Sequence, residues 1–445
     1  MEDKSEPNAP PFGIRVQPTK GAPILRLPDE LLFEIVSWVT QGEDVFPYYS
    51  PKFKSRAALA QTCARFCRLA TPSLYQHLFI SLDYFYRHER RFQITQLHRT
   101  LAENPPLRRH CRRLRFSHGG SANKELVGTI VLDLVRWLTQ TREFSVHGGF
   151  QEEAGPDPVW DSIRVAAEHM PHLEEVTLSR HDFVLPVQRV FGALSPATNL
   201  KTLCLAGCYP SDIPWDTFEA GSSAITSLTA WDFCDSPANL EKLLSWPARL
   251  ESFRFGTLNN TDFKWPLSSF PVLLSRHKTS LKALEIGDTL SHGLEGFDLT
   301  GFEALEKLEL SYFGTGSRID PSWGLLNASR LREFCWRIVW ENQGYTSISY
   351  FSRQEETWLR ELAAVAQARK VPLQKLVIRF DPEPMMESEG PDVYPWDRMA
   401  HIQADLRPVG ISVSYDAPRV SKEEFESMKH IKAEDRFKEW GGSLD

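Results

Sequence analysis

Long apolar runs are missing from this 445-residue sequence. Its most apolar stretch, Leu126–Leu138, carries Asp133 and Arg136 and is too short to span a bilayer. No membrane association is expected. Cysteine is sparse and odd in number, at Cys63, Cys67, Cys111, Cys204, Cys208, Cys234 and Cys335. In a chain this long, that pattern argues against a disulfide framework and fits reduced thiols in cytoplasm or nucleus. Glycine is scarcer than proline, 25 against 30, and both fall as punctuation between apolar segments. Collagen-like and low-complexity architectures are thereby excluded. Charge of one sign is also lacking in bulk. The 51 Lys and Arg against 58 Asp and Glu give a net −7, which argues against a surface built wholly for nucleic acid. Residues 1–13 have no apolar core, so no secretory signal is read there.

Signatures of catalysis are absent too. No Gly-x-Ser-x-Gly turn and no phosphate loop ending in Gly-Lys-Ser/Thr occur, and His88-Glu89 is not followed by a His at zincin spacing. Cys63 and Cys67 share a helix face, but no second Cys/His pair at zinc spacing accompanies them. The expectation is a protein with no catalytic residues, no metal and no cofactor.

What the sequence does contain is globular, 42% apolar and 24% charged, and long enough for several domains or a repeat array. Residues 1–23 hold five prolines and no periodicity, and are read as a disordered leader. From Leu27 the order changes. Pro28 suits a first helical turn, and Asp29 and Glu30 suit the positive end of a helix dipole. Leu31, Leu32, Ile35, Trp38 and Val39 then mark one apolar helix face. A loop is expected over 40–54. A second helix is expected over Arg56–Leu69, with Leu59, Cys63, Phe66 and Leu69 on one side, ending at Pro72. Residues 81–140 read as a helical linker and N-terminal cap, with helices over 87–104 and 123–140.

The most informative feature is a repeat. The pattern Leu-x-x-Leu-x-Leu, with substitutions, begins at Leu173, Leu200, Ile225, Leu250, Leu281, Leu305, Leu331 and Leu373. The spacing is 24–31 residues, with one gap of 42 before the last copy. Fainter copies lie at Leu114–Phe116 and Phe144–Val146, and Ile411, Val413 and Tyr415 suggest a closing strand. A strand and a return segment at this period make one turn of a stacked array, because no single turn buries its own apolar face. The turn position that favours Asn or Cys is met only by Cys208, so the repeat is degenerate. The expected fold is an α/β solenoid of degenerate leucine-rich repeats over 141–420, preceded by a small all-α unit at 24–80. A C-terminal helix or tail follows at 421–445.

The helical segment resembles the F-box. The residues that carry the likeness are Leu27-Pro28-x-Glu30-Leu31-Leu32-x-x-Ile35 and Leu59-Ala60-x-x-Cys63-x-x-Phe66-x-x-Leu69-Ala70-x-Pro72-x-Leu74-Tyr75. With its repeats, the whole chain is similar to F-box/leucine-rich-repeat proteins of the fungal type, although the loop Thr40–Ser55 is longer than the family's usual connection. The resemblance implies the substrate-recognition subunit of a Skp–cullin–F-box ubiquitin ligase, non-catalytic itself. In that reading Leu27, Pro28, Leu31, Leu32 and Ile35 contact a Skp-type adaptor, and through it a cullin, with Leu59, Cys63 and Leu69 in support. The alternative is a repeat scaffold outside any ligase, with the helical segment as its N-terminal cap.

Residues between the repeat leucines alternate onto the other strand face. Trp231, Arg254, Glu309 and Arg337 are the candidates there for contact with a protein substrate, since Trp and Arg dominate interface hot spots. The alternative is a solvated strand face. The nine Arg and two Glu of residues 87–115 are interleaved with apolar residues, which suits a solvated helix face better than a phosphate-binding one.

Overall fold

In the computed structural model, the described residues are 23–40, 51–82, 87–118, 127–150, 158–180, 185–211, 213, 215, 219–256, 265–289, 293–315, 323–339, 346–383 and 393–429. The chain divides into two compact units, Met1–His77 and Leu78–Asp445. The expected leader, most of the Thr40–Ser55 loop and much of the acidic segment Asp381–Asp397 lie outside the described residues.

The first unit is built from α1 (Asp29–Thr40), α2 (Pro51–Thr62) and α3 (Ala64–Gln76). The single helix expected over Arg56–Leu69 is two helices. The break is at Cys63, whose extended backbone places its sulfur to accept the Phe66 N–H at 3.5 Å and cap α3. Pro72 does not end α3 but lies inside it. Packing on both sides of it, from buried Ala70 and half-buried Leu74 and Tyr75, carries the helix across the missing hydrogen bond. Leu32, Val36, Phe66 and Ala70 form the core, with Leu27, Ile35, Leu59, Ala60, Cys63 and Leu69 packed against it.

The second unit carries a twelve-stranded sheet whose strands lie in strict chain order. They are β1 (His77–Ser81), β2 (Arg113–His118), β3 (Glu143–Gly148), β4 (Glu175–Ser179), β5 (Thr202–Cys208) and β6 (Ser227–Phe233). Then follow β7 (Ser252–Gly256), β8 (Ala283–Ile286), β9 (Lys307–Ser311), β10 (Glu333–Ile338), β11 (Lys375–Phe380) and β12 (Ser412–Tyr415). The pairing is parallel, and the repeat leucines stand opposite one another. Leu203 pairs with Leu228, Leu228 with Phe253, Phe253 with Leu284, and Leu284 with Leu308. Every Leu-type position of the eight clear copies is buried. Return helices follow several strands, among them Pro158–His169, Pro237–Ser245, Arg353–Ala368 and Pro395–Leu406. A parallel sheet with alternating helices is compatible with an α/β solenoid.

One backbone arrangement recurs between repeats. From β2 to β10, the residue before a strand offers a carbonyl that accepts two successive N–H groups from the next repeat. The Glu174 carbonyl takes those of Lys201 and Thr202, the Lys201 carbonyl those of Thr226 and Ser227, and the Thr226 carbonyl those of Glu251 and Ser252. The pattern continues to the Arg332 carbonyl, which takes Gln374 and Lys375. A carbonyl has two lone pairs, so both donors are satisfied without a side chain.

The sheet starts well before residue 141. β1 falls at the end of the expected all-α unit 24–80, β2 falls where a helical linker is expected, and the faint copy at Leu114–Phe116 is a full strand in register with β3. The helix Lys422–Lys429 buries Phe425 against Tyr394 at 5.5 Å. Arginines of the basic stretch are engaged within the fold. Arg108 lies 4.1 Å over the Trp137 ring, Arg113 meets Glu143 at 2.5 Å, and Arg112 donates to the Gln140 carbonyl at 3.2 Å. No helix among the described residues is long and apolar enough to cross a membrane.

His118, at the end of β2, is buried and neither ring nitrogen has a hydrogen-bond partner. Burial lowers its pKa from 6.5 to about 4. The unfolded chain therefore takes up a proton that the folded chain refuses. Stability from this group is present above pH 6.5 and falls as pH drops toward 4, by up to about 3 kcal/mol. Replacing His118 with Phe is expected to flatten that part of the stability–pH curve, measured by denaturant unfolding across this range. An unchanged slope would refute the assignment.

Candidate functional site

Two surfaces collect the candidate residues, one in each unit. In the helical unit, Asp29 opens α1 and accepts from Arg65 at 2.7 Å and from Arg68 at 2.5 Å. Arg65 also donates to the Leu27 carbonyl at 2.7 Å. These bonds tie the N-terminal end of α1 to α3 and fix which side of α1 turns inward. Leu32 and Val36 take the inward side and are fully buried. Leu31, Ile35 and Trp38 follow one another at i, i+4 and i+7, so they make a second row beside the first. That row is not covered. Leu31 is 45% exposed and Trp38 77%, while Ile35 is half-buried.

The expected adaptor contacts therefore separate by position. Pro28 and Leu31 are exposed, and Leu27, Ile35, Leu59, Cys63 and Leu69 are half-buried. Leu32, expected among these contacts, is wholly inside and belongs to the core that holds α1 in place. Trp38 lies in the row although it is not among the residues the resemblance supplies. Its signal was present in the sequence, as part of the apolar periodicity of α1. Phe33 and Val39 are also exposed. These exposed apolar side chains make the outer side of α1 the candidate contact surface of the unit.

Residues 24–81 match the F-box-like family. The chain thus carries an F-box-like domain, and domains of this kind bind Skp-type adaptors. The match covers α1, α2, α3 and β1. No curated protein matches the sequence.

On the sheet, the four substrate candidates fall on β6, β7, β9 and β10 and are brought into one network. Arg254 lies over the Trp231 ring at 4.6 Å and meets Glu285 at 2.9 Å. Arg337 meets the same Glu285 at 2.7 Å and Glu309 at 3.1 Å. The chain continues through Lys307, 3.7 Å from both Glu309 and Glu333, to Lys375, 3.1 Å from Glu333. Parallel register makes this possible. Arg254, Glu285 and Glu309 occupy the same position on successive strands. Glu285, Lys307, Glu333 and Lys375 are members outside the candidate set, and Glu285 joins Arg254 to Arg337. Trp231 is held flat by missing side chains. A Cβ on Gly256 would lie 2.4 Å from its ring, and one on Gly287 3.2 Å away.

Burial, with Glu309 beside it, pushes the Cys335 thiol up to about 12, so it stays protonated at neutral pH. Among the described residues, no group of three or more His, Cys, Asp or Glu is placed to hold a metal ion.

The division between core and surface on α1 is testable by neighbours in sequence. Leu32→Ala is expected to destabilise the helical unit by about 2–5 kcal/mol. Leu31→Ala is expected to change its stability by no more than about 0.5 kcal/mol. Amide hydrogen exchange of α1–α3 in the full chain reads both. Equal loss of protection in the two variants would contradict the assignment.

Proposed function

We propose that this chain is the substrate-recognition subunit of a Skp–cullin–F-box type ubiquitin ligase. The F-box-like domain grips a Skp-type adaptor, and the outward sheet face holds a protein substrate. The observation that carries this reading is the uncovered row Leu31–Ile35–Trp38 within a matched F-box-like domain. A helix that ties down one apolar row and leaves a second in water gains by docking it. Full burial of each such side chain contributes about 1.5–3 kcal/mol. Pro28, Leu27 and the half-buried Leu59, Cys63 and Leu69 border or support that row.

In this role the subunit performs no bond chemistry. It raises the effective concentration of substrate near a conjugating enzyme, and geometry supplies the rate. The ion network on the sheet suits such a task because its members are fixed before any partner arrives, so less side-chain entropy is lost on binding. We place the protein in cytoplasm or nucleus on the same reading.

The test is adaptor binding by the purified full chain. Leu31→Ala with Trp38→Ala is expected to weaken binding to a Skp-type adaptor by at least about thirtyfold, the scale of an interface hot spot. Leu27→Ala with Pro28→Ala is expected to act in the same direction. The sheet unit should keep its thermal transition in both cases. Full-affinity binding by both double variants would refute the proposal.

A further inference from the structure

The network on the sheet is not electrically even in depth. Its carboxylates lie low, with Glu285 24% exposed, Glu309 13% and Glu333 27%. Three of its four cations reach outward, with Arg254 42% exposed, Lys307 47% and Lys375 45%. Only Arg337, at 9%, is sunk among the acids it bridges. In a chain of net charge −7, this row therefore presents positive charge to solvent. Each outward cation is anchored at one end by a part-buried carboxylate and keeps donors to spare.

Beside the cations stands Trp231. Its ring leans over Gly256 and Gly287 on the β7–β8 side. On the other side its strand neighbour is Ala206, and the preceding pair on the same face of these strands is Cys204 and Thr229. The indole thus stands on a floor of small residues, Gly256 and Gly287 beneath its ring and Ala206 at the neighbouring strand position, with the Arg254 guanidinium over the ring. An aromatic or large aliphatic side chain can rest on that floor against the indole, while an acid next to it reaches Arg254.

We propose that this face takes an acidic polypeptide segment carrying an aromatic or large aliphatic side chain. That side chain packs beside Trp231, and flanking Asp or Glu residues pair with Arg254, Lys307 and Lys375. The proposal rests on the reading of the sheet face as the substrate surface and adds the chemistry of what is bound. The charge complementarity sets orientation and on-rate, and the indole supplies a desolvated anchor.

The experiment selects displayed random linear peptides on the full chain and measures affinities of the enriched ones by fluorescence anisotropy. The expected winners carry an aromatic or large aliphatic residue flanked by acids and lose affinity as salt rises. Trp231→Ala and Arg254→Gln are each expected to weaken them at least about tenfold. Lys307→Gln, at an exposed position, is expected to weaken them less and to reduce the salt dependence. Leu31→Ala with Trp38→Ala is expected to leave peptide affinity unchanged, which separates this test from that of adaptor binding. Thermal melting confirms that each variant is folded.

Basic peptides held through Trp231 would overturn the partner's chemistry while keeping the face as the binding surface. Enriched peptides indifferent to Trp231, Arg254 and Lys307 would overturn the face itself, as would failure of any peptide to enrich. A single-stranded oligonucleotide bound more tightly than the peptides through the same residues would also overturn the proposal.

Discussion

From β3 to β11, each repeat in the sheet hangs from the one before it by a shared carbonyl. The residue ahead of a strand accepts two consecutive N–H groups from its successor, and this recurs from the Arg112 carbonyl to that of Arg332. The bond pair fixes where the next strand starts, and therefore its register. Once register is fixed, equivalent leucines face equivalent leucines and the core closes without further choice. A slip by one residue would turn the whole apolar set to water. The outward residues inherit the same order, so Arg254, Glu285 and Glu309 stand in line although 31 and 24 residues separate them in the chain.

The two units handle apolar surface differently. In the sheet, buried aromatic side chains fill the space beneath the strands. Trp336 stacks on Trp358 at 4.5 Å and its N–H donates to Thr315 at 2.9 Å, so a bulky residue is buried without an unmet donor. In the helical unit, three short helices enclose one small core, and α1 carries more apolar side chains than that core accommodates. The surplus is organised as a row. Organisation of this kind separates a binding surface from the scattered exposed leucines of any protein.

Helix α3 shows local preference yielding to packing. Proline inside a helix costs about 3 kcal/mol, yet Pro72 is accommodated between buried Ala70 and half-buried Leu74 and Tyr75. Cys63 shows the reverse, a residue of modest capping ability placed where two helices must part. Both positions belong to the pattern that resembles the F-box, and the family match spans them.

The repeat was legible in the sequence because it depends on near-neighbour chemistry: apolar residues at a fixed period, each copy reporting the same strand. The amphipathic face of α1 was legible for the same reason. Faint strands such as β2 were harder to see, since the strand alone carries few leucines and gains its status from pairing with β3. β1, carried by Leu78 and Ile80, was absorbed into the preceding helical unit because two apolar residues at spacing two fit either reading. What only the tertiary structure decided was which apolar residues of α1 face inward, and which charges on the sheet meet. Leu31 and Leu32 are adjacent and chemically identical. The anchoring of Asp29 by Arg65 and Arg68 from α3 turns one to the core and the other to water. Glu285 and Arg337 lie 52 residues apart, and only stacked parallel strands bring them within a hydrogen bond. Periodicity along one chain specifies elements, whereas depth and partnership arise only when separate elements share a space.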